Sequence, residues 1–287
     1  MLSKTSTISG VVFATLLFGA RAHAQTDPDS EAKPPDAAAG GADGTDQLTL
    51  PKGRLVVNGF VEIGLSTDFV GKPISITPDA WYGVTDDITA GLVHSSTAVT
   101  GFIGGVGDAL CLTGTSNGCP DLYPGVGFEG RYKIKLSGLA VAAEGGLLIQ
   151  HLGDPLAVAI KAGGIGRWHQ GKIAVDVQPN LIIAVTNRGS STTGGVTISG
   201  SRDLLNLPIT GLYAVTPLIS AAVQVGFVLP LQDTGDAYRL PLSIGGHYRV
   251  NDMLSVSLAF SLPALVGGGS GTGLDARSLT LGGSYAF

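Results

Sequence analysis

A set of ionisable side chains recurs on alternate positions of short apolar segments. The carboxylates are Glu62, Asp79, Glu129, Glu144 and Asp176; the cations are Arg131, Lys133, Lys135, Lys161, Arg167, Arg239 and Arg249; His169 and His247 fall in the same phase. Groups of both signs on one face can pair with each other or steer ions past them. Hydrolysis needs a tighter constellation, a nucleophile or bound water beside a base that a third group orients. No HExxH, GxSxG or P-loop pattern occurs. Ser95 follows His94 directly, and adjacent residues of a strand point to opposite faces. His94 and His151 fall on the opposite, outward phase near strand ends, an interfacial placement. The glycine clusters at 101–107 and 267–273 lie in loops without the strand–helix context of a nucleotide site. No catalytic residue, cofactor or metal set is expected, and a net charge of −5 disfavours nucleic acid.

The elements that carry these residues are strands. From 175 to 185, Val175, Val177, Pro179, Leu181, Ile183 and Val185 share one face, with Asp176, Gln178 and Asn180 on the other. From 126 to 136, Val126, Phe128, Tyr132, Ile134 and Leu136 oppose Glu129, Arg131, Lys133 and Lys135. Strict alternation is the signature of a half-buried strand. Twelve such segments can be placed, at about 54–65, 73–84, 88–95, 126–136, 139–151, 156–168, 172–186, 206–215, 218–229, 238–250, 253–262 and 277–287. Tight turns, among them 85–87, 137–138, 170–171, 216–217 and 251–252, alternate with mostly longer loops, the longest at 96–125.

Composition says which solvent the apolar face meets. Only 14% of residues are charged, and mean hydropathy is +0.34, against roughly a quarter charged in an ordinary globular domain. No segment of the mature chain reads as a membrane-spanning helix: the stretch 210–230 is broken by Pro217 and Gln224. An apolar chain without such helices satisfies its backbone in lipid by closing strands into a barrel. The predicted fold is therefore all-β: an antiparallel transmembrane β-barrel of about twelve strands, with the charged phase turned to the lumen and both termini on the periplasmic side.

Outward-phase aromatics test that register. Tyr82, Tyr132, Trp168, Tyr213, Tyr248 and Tyr285 each lie near the tight-turn end of a strand. Amphipathic rings prefer the lipid–water boundary, so the row reads as an aromatic girdle. Cys111 and Cys119 lie in the longest loop with no other metal ligand nearby, and in an oxidising compartment they form a disulfide. The N-terminus has the parts of a secretory signal peptide over residues 1–24: Lys4, an apolar core and an Ala22-His23-Ala24 cleavage site. Residues 25–51 form an acidic, Pro/Ala/Gly-rich leader expected to be disordered, and 52–287 the barrel.

The terminal strand ending at Phe287, the aromatic row and the turn from Trp81 to Leu92 resemble those of bacterial outer-membrane porin-like β-barrels. The resemblance implies an outer-membrane location, lipid as the surrounding partner, and recognition of the C-terminal strand, with Phe287 as its signal, by the barrel-insertion machinery. It carries over no functional residues. Two states of the lumen stay open. Ion pairs could knit it into a plug, or a wet path could run through it. Small residues such as Gly127, Ala142, Ser220, Ser257 and Ser261 leave room for a path, and Arg131, Lys133 and Lys135 would bias it toward anions. The expected function is a passive porin-like channel for small polar solutes, with a weak anion preference. The alternative is a surface-interaction barrel that displays the disulfide-closed loop at 97–125 without transport.

Overall fold

The structure, a computed structural model, describes residues 48–66, 70–94, 110–117, 119, 123, 125–136, 139–152, 154–189, 191–193, 196–198, 203–232, 237–268 and 273–287. The expected signal peptide, residues 25–47 of the leader, and Ser95 lie outside the described residues.

Alternating β-branched and polar residues form β1 (Leu55–Gly64), β2 (Ile74–Thr85), β3 (Ile88–Val93), β4 (Leu110–Cys111), β5 (Val126–Ile134), β6 (Ala140–His151), β7 (Ala157–Gln170), β8 (Ile173–Val177) and β9 (Asn180–Ala184). A small hairpin follows, β10 (Ser191–Thr193) with β11 (Val196–Ile198). The chain then forms β12 (Leu204–Ala214), β13 (Ile219–Pro230), β14 (Arg239–Arg249), β15 (Leu254–Gly267) and β16 (Ser278–Ala286). Each wall strand pairs antiparallel with its neighbour, and β1 pairs with both β2 and β16, so the sheet closes into a twelve-strand barrel. The seam runs from Val56↔Ala286 to Gly64↔Ser278, and the Phe287 amide donates to Leu55 O at 2.8 Å beyond it. Closure leaves no edge strand to be satisfied by lipid.

Turn chemistry fixes the short connections. Thr216 Oγ1 accepts from the amides of Leu218 and Ile219, and Asn251 Oδ1 from those of Met253 and Leu254, the side-chain turns these residues favour. Gly171 takes φ +60° between β7 and β8, a left-handed conformation that glycine adopts without steric cost.

One segment read as a single strand, 172–186, is two. Pro179 has no amide to give the ladder, and β8 ends at Val177 before β9 resumes at Asn180. The break does not shift the phase, because Gly164 N still donates to Pro179 O (3.0 Å) and Gln178 N to Pro208 O (3.1 Å). The wall also has a piece absent from the strand reading. β3 is short, and β4 pairs with the far end of β2 instead, Ser75↔Cys111 and Ile76↔Leu110.

The two faces of the wall separate sharply. Phe128, Tyr132, Ile244 and Leu281 are more than half exposed, while Glu129, Ser243, Ser261 and Ser278 are buried. In water that exterior would be a large apolar patch; in a bilayer it is the lipid face.

The expected disorder of residues 25–51 does not extend to the last of them. Leu48, Thr49 and Leu50 are buried, Leu48 against Ala142 and Ile165, and Leu50 against Val56, Trp81 and Val93. These partners are inward residues near the short-turn end, so the segment is a strap across that mouth. Leu50 N donates to Thr89 Oγ1 (2.7 Å), Thr49 Oγ1 to Asp86 O (3.1 Å) and Lys52 N to Asp86 Oδ1 (2.9 Å). Gly83 gives the strap its room, since Pro51 O occupies the space where a Cβ would stand. Two leucines supply the apolar area that the preceding acidic stretch lacks, which is why composition averaged over 25–51 hides them.

Candidate functional site

Every second residue of a strand faces inward, and cross-strand pairing strings those residues into rows. One row runs Arg167, Asp176, Thr210, Gln224, Ser243, Ser261 and Ser278. A second runs Arg131, Glu144, Gly163, Asn180 and Asn206. A third, Trp81, Gly91, Glu129, Gly146, Lys161 and Ile182, lies beside it. The rows divide the interior into a charged wall on β5–β9 and a wall of small hydroxyl residues on β14, β15, β16 and β1.

On the charged wall the ions meet one another. Lys161 Nζ lies 2.9 and 3.0 Å from the two oxygens of Glu129 and 3.2 Å from Glu144 Oε1. Gln178 Nε2 donates to the other Glu144 oxygen at 2.6 Å. Arg131 Nη2 reaches Glu144 Oε1 at 3.7 Å, and its guanidinium carbon stands 4.4 Å from the centre of the Trp81 ring, within cation–π range. Arg167 holds Asp176 through two parallel contacts of 2.7 Å, the bidentate fork that suits a buried carboxylate. All of these but Arg131 are nearly fully buried. At that depth ions persist only when paired and hydrogen-bonded.

Glycines make the reach possible. Glu129 and Lys161 belong to strands two apart, with Gly146 between them. A Cβ on Gly146 would stand 2.8 Å from Glu129 Cγ and 2.7 Å from Phe128 O. Gly163 plays the same part between Glu144 and Asn180, where a Cβ would stand 2.7 Å from Asn180 Cβ.

The hydroxyl wall is built differently. Ser243 Oγ and Ser261 Oγ bond to each other at 2.7 Å. Ser278 Oγ, Thr280 Oγ1, Ser284 Oγ and Asn58 Oδ1 are buried without a hydrogen-bond partner, as are Gln178 Oε1 and Asn180 Oδ1 opposite them. Phe60 faces inward on β1 with its ring across Gly282, where a Cβ would stand 2.6 Å from the ring.

The sequence-predicted charges do not all gather in this interior. Glu62, Asp79, Glu129, Arg131, Glu144, Lys161, Arg167, Asp176 and His247 face inward along the strands, and so does half-buried Lys133. Lys135 does not: β5 ends at Ile134, and its ammonium is 79% exposed at the rim, 3.4 Å from Asp87. His169 is exposed at the short-turn mouth with Nε2 against Gly171 O (2.9 Å). Arg249 caps the 216–217 turn through Pro217 O (2.6 Å), and Arg239 is exposed at the opposite, long-loop end. Parity assigns a face, but only distance from the strand end tells interior from rim.

His94 corrects a second expectation. Placed on the outward face by alternation, it lies just past the end of β3 and leaves the ladder. Its amide donates to Asp79 Oδ1 (2.8 Å), its Nδ1 meets Pro78 O, and its Nε2 meets Tyr123 OH (3.1 Å). Tyr82, Tyr132, Trp168, Tyr213, Tyr248 and Tyr285 all have exposed side chains, and Tyr285 packs edge-on against Phe287 at 4.6 Å. Cys111 and Cys119 form a disulfide with Cα atoms 6.1 Å apart, and Lys72 Nζ donates to Asn117 Oδ1 inside that loop at 2.8 Å. At the long-loop end Arg188 donates to both oxygens of Asp203 (2.8 and 2.7 Å). That hydrogen bond holds the Asp203 carboxyl below its ordinary range. Among the described residues no group of three or more His, Cys, Asp or Glu could hold a metal ion.

A closed antiparallel barrel with an apolar exterior and a polar interior defines an outer-membrane β-barrel of the porin-like kind. Solved structures agree on the fold. The NanC porin matches 80% of this chain and 98% of its own at 12% identity and TM-score 0.55. The KdgM porin matches 81% and 99% at 7% identity and TM-score 0.51. An outer membrane channel from Pseudomonas putida F1 matches 83% and 97% at 15% identity and TM-score 0.52. No protein-family model and no curated protein sequence matches the chain.

Proposed function

We propose that this barrel is a passive outer-membrane channel for small polar solutes. One observation carries the reading: the wall closes into a twelve-strand barrel with a polar inward face, a girth between eight-strand barrels that side chains fill and sixteen-strand porins that hold an aqueous channel. The fold shared with porins and an outer membrane channel supports the same reading.

The anion preference expected from Arg131, Lys133 and Lys135 has little support. Arg131 is occupied by Glu144 and Trp81, and Lys135 stands beside Asp87 at the rim. Lys133 alone makes no ion pair among the described residues. The orientation we infer puts both termini and the short turns in the periplasm, with the exposed aromatic row at that lipid boundary and the Phe287 strand presented to the insertion machinery. Planar-bilayer recording tests the channel. Heat-modifiable, correctly folded protein gives steady ohmic conductance without a trigger; folded protein that never conducts sinks the reading.

The surface-interaction reading has an observation of its own. The disulfide loop is braced on β2 through β4 and through Lys72, which hold Leu110, Cys111 and Asn117 against the wall. Shortening residues 112–118 would abolish partner capture and spare conductance if display is the role.

A further inference from the structure

We propose that the strap at 48–51 restricts the short-turn mouth of the barrel, and that unseating it widens the passage. The inference rests on the channel reading above and names what limits the current.

The order of strands in the wall places the strap across the mouth rather than along its rim. Leu48 belongs to an apolar cluster with Ala142 of β6 and Ile165 of β7. Leu50 belongs to another, with Val56 of β1, Trp81 of β2, Val93 of β3 and Ala286 of β16. The way round the wall from β16 through β1, β2, β3, β5 and β6 to β7 takes six steps, half the girth of a twelve-strand barrel. Leu48 and Leu50 are two residues apart, a reach of about 7 Å even when extended. So short a segment joins both clusters only by lying on a chord inside the sheet.

Leu48, Thr49 and Leu50 are 4%, 5% and 4% exposed. Consecutive side chains leave the backbone in different directions, so the strap is packed on every side and no flank of it borders open water. Polar contacts anchor one end. Leu50 N donates to Thr89 Oγ1 of β3 at 2.7 Å, and Thr49 Oγ1 and Lys52 N both bond to Asp86. Gly53 N donates to Gly83 O (2.8 Å), and Gly83 N returns to Arg54 O (2.9 Å). On the β6–β7 side the hold is the apolar packing of Leu48. An apolar constriction resists wetting. Two leucines set against Ala142, Ile165, Val56 and Trp81 therefore oppose ion flow more than polar side chains of the same bulk would.

Single-channel recording on the full chain reads the restriction, with heat modifiability to show that each protein is folded. Leu48→Asn with Leu50→Asn nearly keeps the bulk and removes the apolar contacts. Conductance is expected to rise by roughly twofold or more, because a pore answers to the width and wetting of its narrowest part. Thr89→Val removes the acceptor of the Leu50 amide from the wall side and should move conductance the same way. Leu48→Met with Leu50→Met, apolar and of similar volume, should keep the wild-type value. If neither the asparagine pair nor Thr89→Val changes the conductance, this inference falls and the channel reading stands. A methionine pair that conducts as well as the asparagine pair overturns it equally. If neither the wild type nor any variant conducts, the channel reading fails and this inference with it.

Discussion

The two interior walls are both polar, and they solve opposite problems. On β5–β9 the polar groups are ionised, buried and closed on one another. On β14, β15, β16 and β1, Glu62 and His247 apart, they are neutral and small, and some of them have no hydrogen-bond partner. Deleting one member of the first wall strands a charge beneath the surface of the barrel; deleting the Ser278 or Thr280 hydroxyl on the second strands no partner. Polarity inside a barrel is therefore no measure of function by itself. What counts is whether the polar atoms find partners in the protein.

The comparison breaks most readily at Lys161. Lys161→Met leaves Glu129 and Glu144 facing each other with their shared cation gone, and unfolding stability in detergent is expected to fall by roughly 3–5 kcal/mol. Thr280→Val on the other wall is expected to stay within about 0.5 kcal/mol. Equal losses from the two variants in urea titration would erase the distinction between the walls. A smaller effect is expected at Gly146. Gly146→Ala places a methyl at 2.8 Å from Glu129 Cγ and costs about 1–3 kcal/mol as overpacking. Gly283→Ala, with open space around it, should leave the melting temperature nearly unchanged.

The smallest effect lies outside the walls, at Asp203. Its carboxyl is held low by Arg188, so its stabilising contribution is complete above the ordinary carboxylate range and is lost as pH falls through the lower folded value. An NMR titration of that carboxyl should show a midpoint below an unstructured aspartate, moving upward in Arg188→Gln. A midpoint above the reference would contradict the assignment.

The strands were readable because the period of two survives almost any context. Even Pro179 interrupts the ladder without moving Gln178 or Asn180 to the other face. Length was read less well: β15 runs to Gly267 rather than 262, and Lys135 lies beyond its strand rather than in the interior. Rows were not readable at all. That Gly146 separates Glu129 from Lys161 depends on which strands are neighbours and in what register, and alternation within one strand carries neither. The strap at 48–51 escaped for a related reason. Its leucines form no periodic pattern, and only the partners Ala142, Ile165 and Trp81 give them meaning.

The register row from Arg167 to Ser278 has a geometric consequence. Its six steps between strands, each about 4.8 Å, cover roughly 29 Å of wall. Strands in such barrels tilt by about 40° from the axis, so the row climbs by roughly 18 Å while it winds around the interior. It starts near the short-turn end of β7 and finishes at the long-loop end of β16. The row is therefore a screw rather than a ring, so residues paired on neighbouring strands differ in height as well as in angle about the barrel axis.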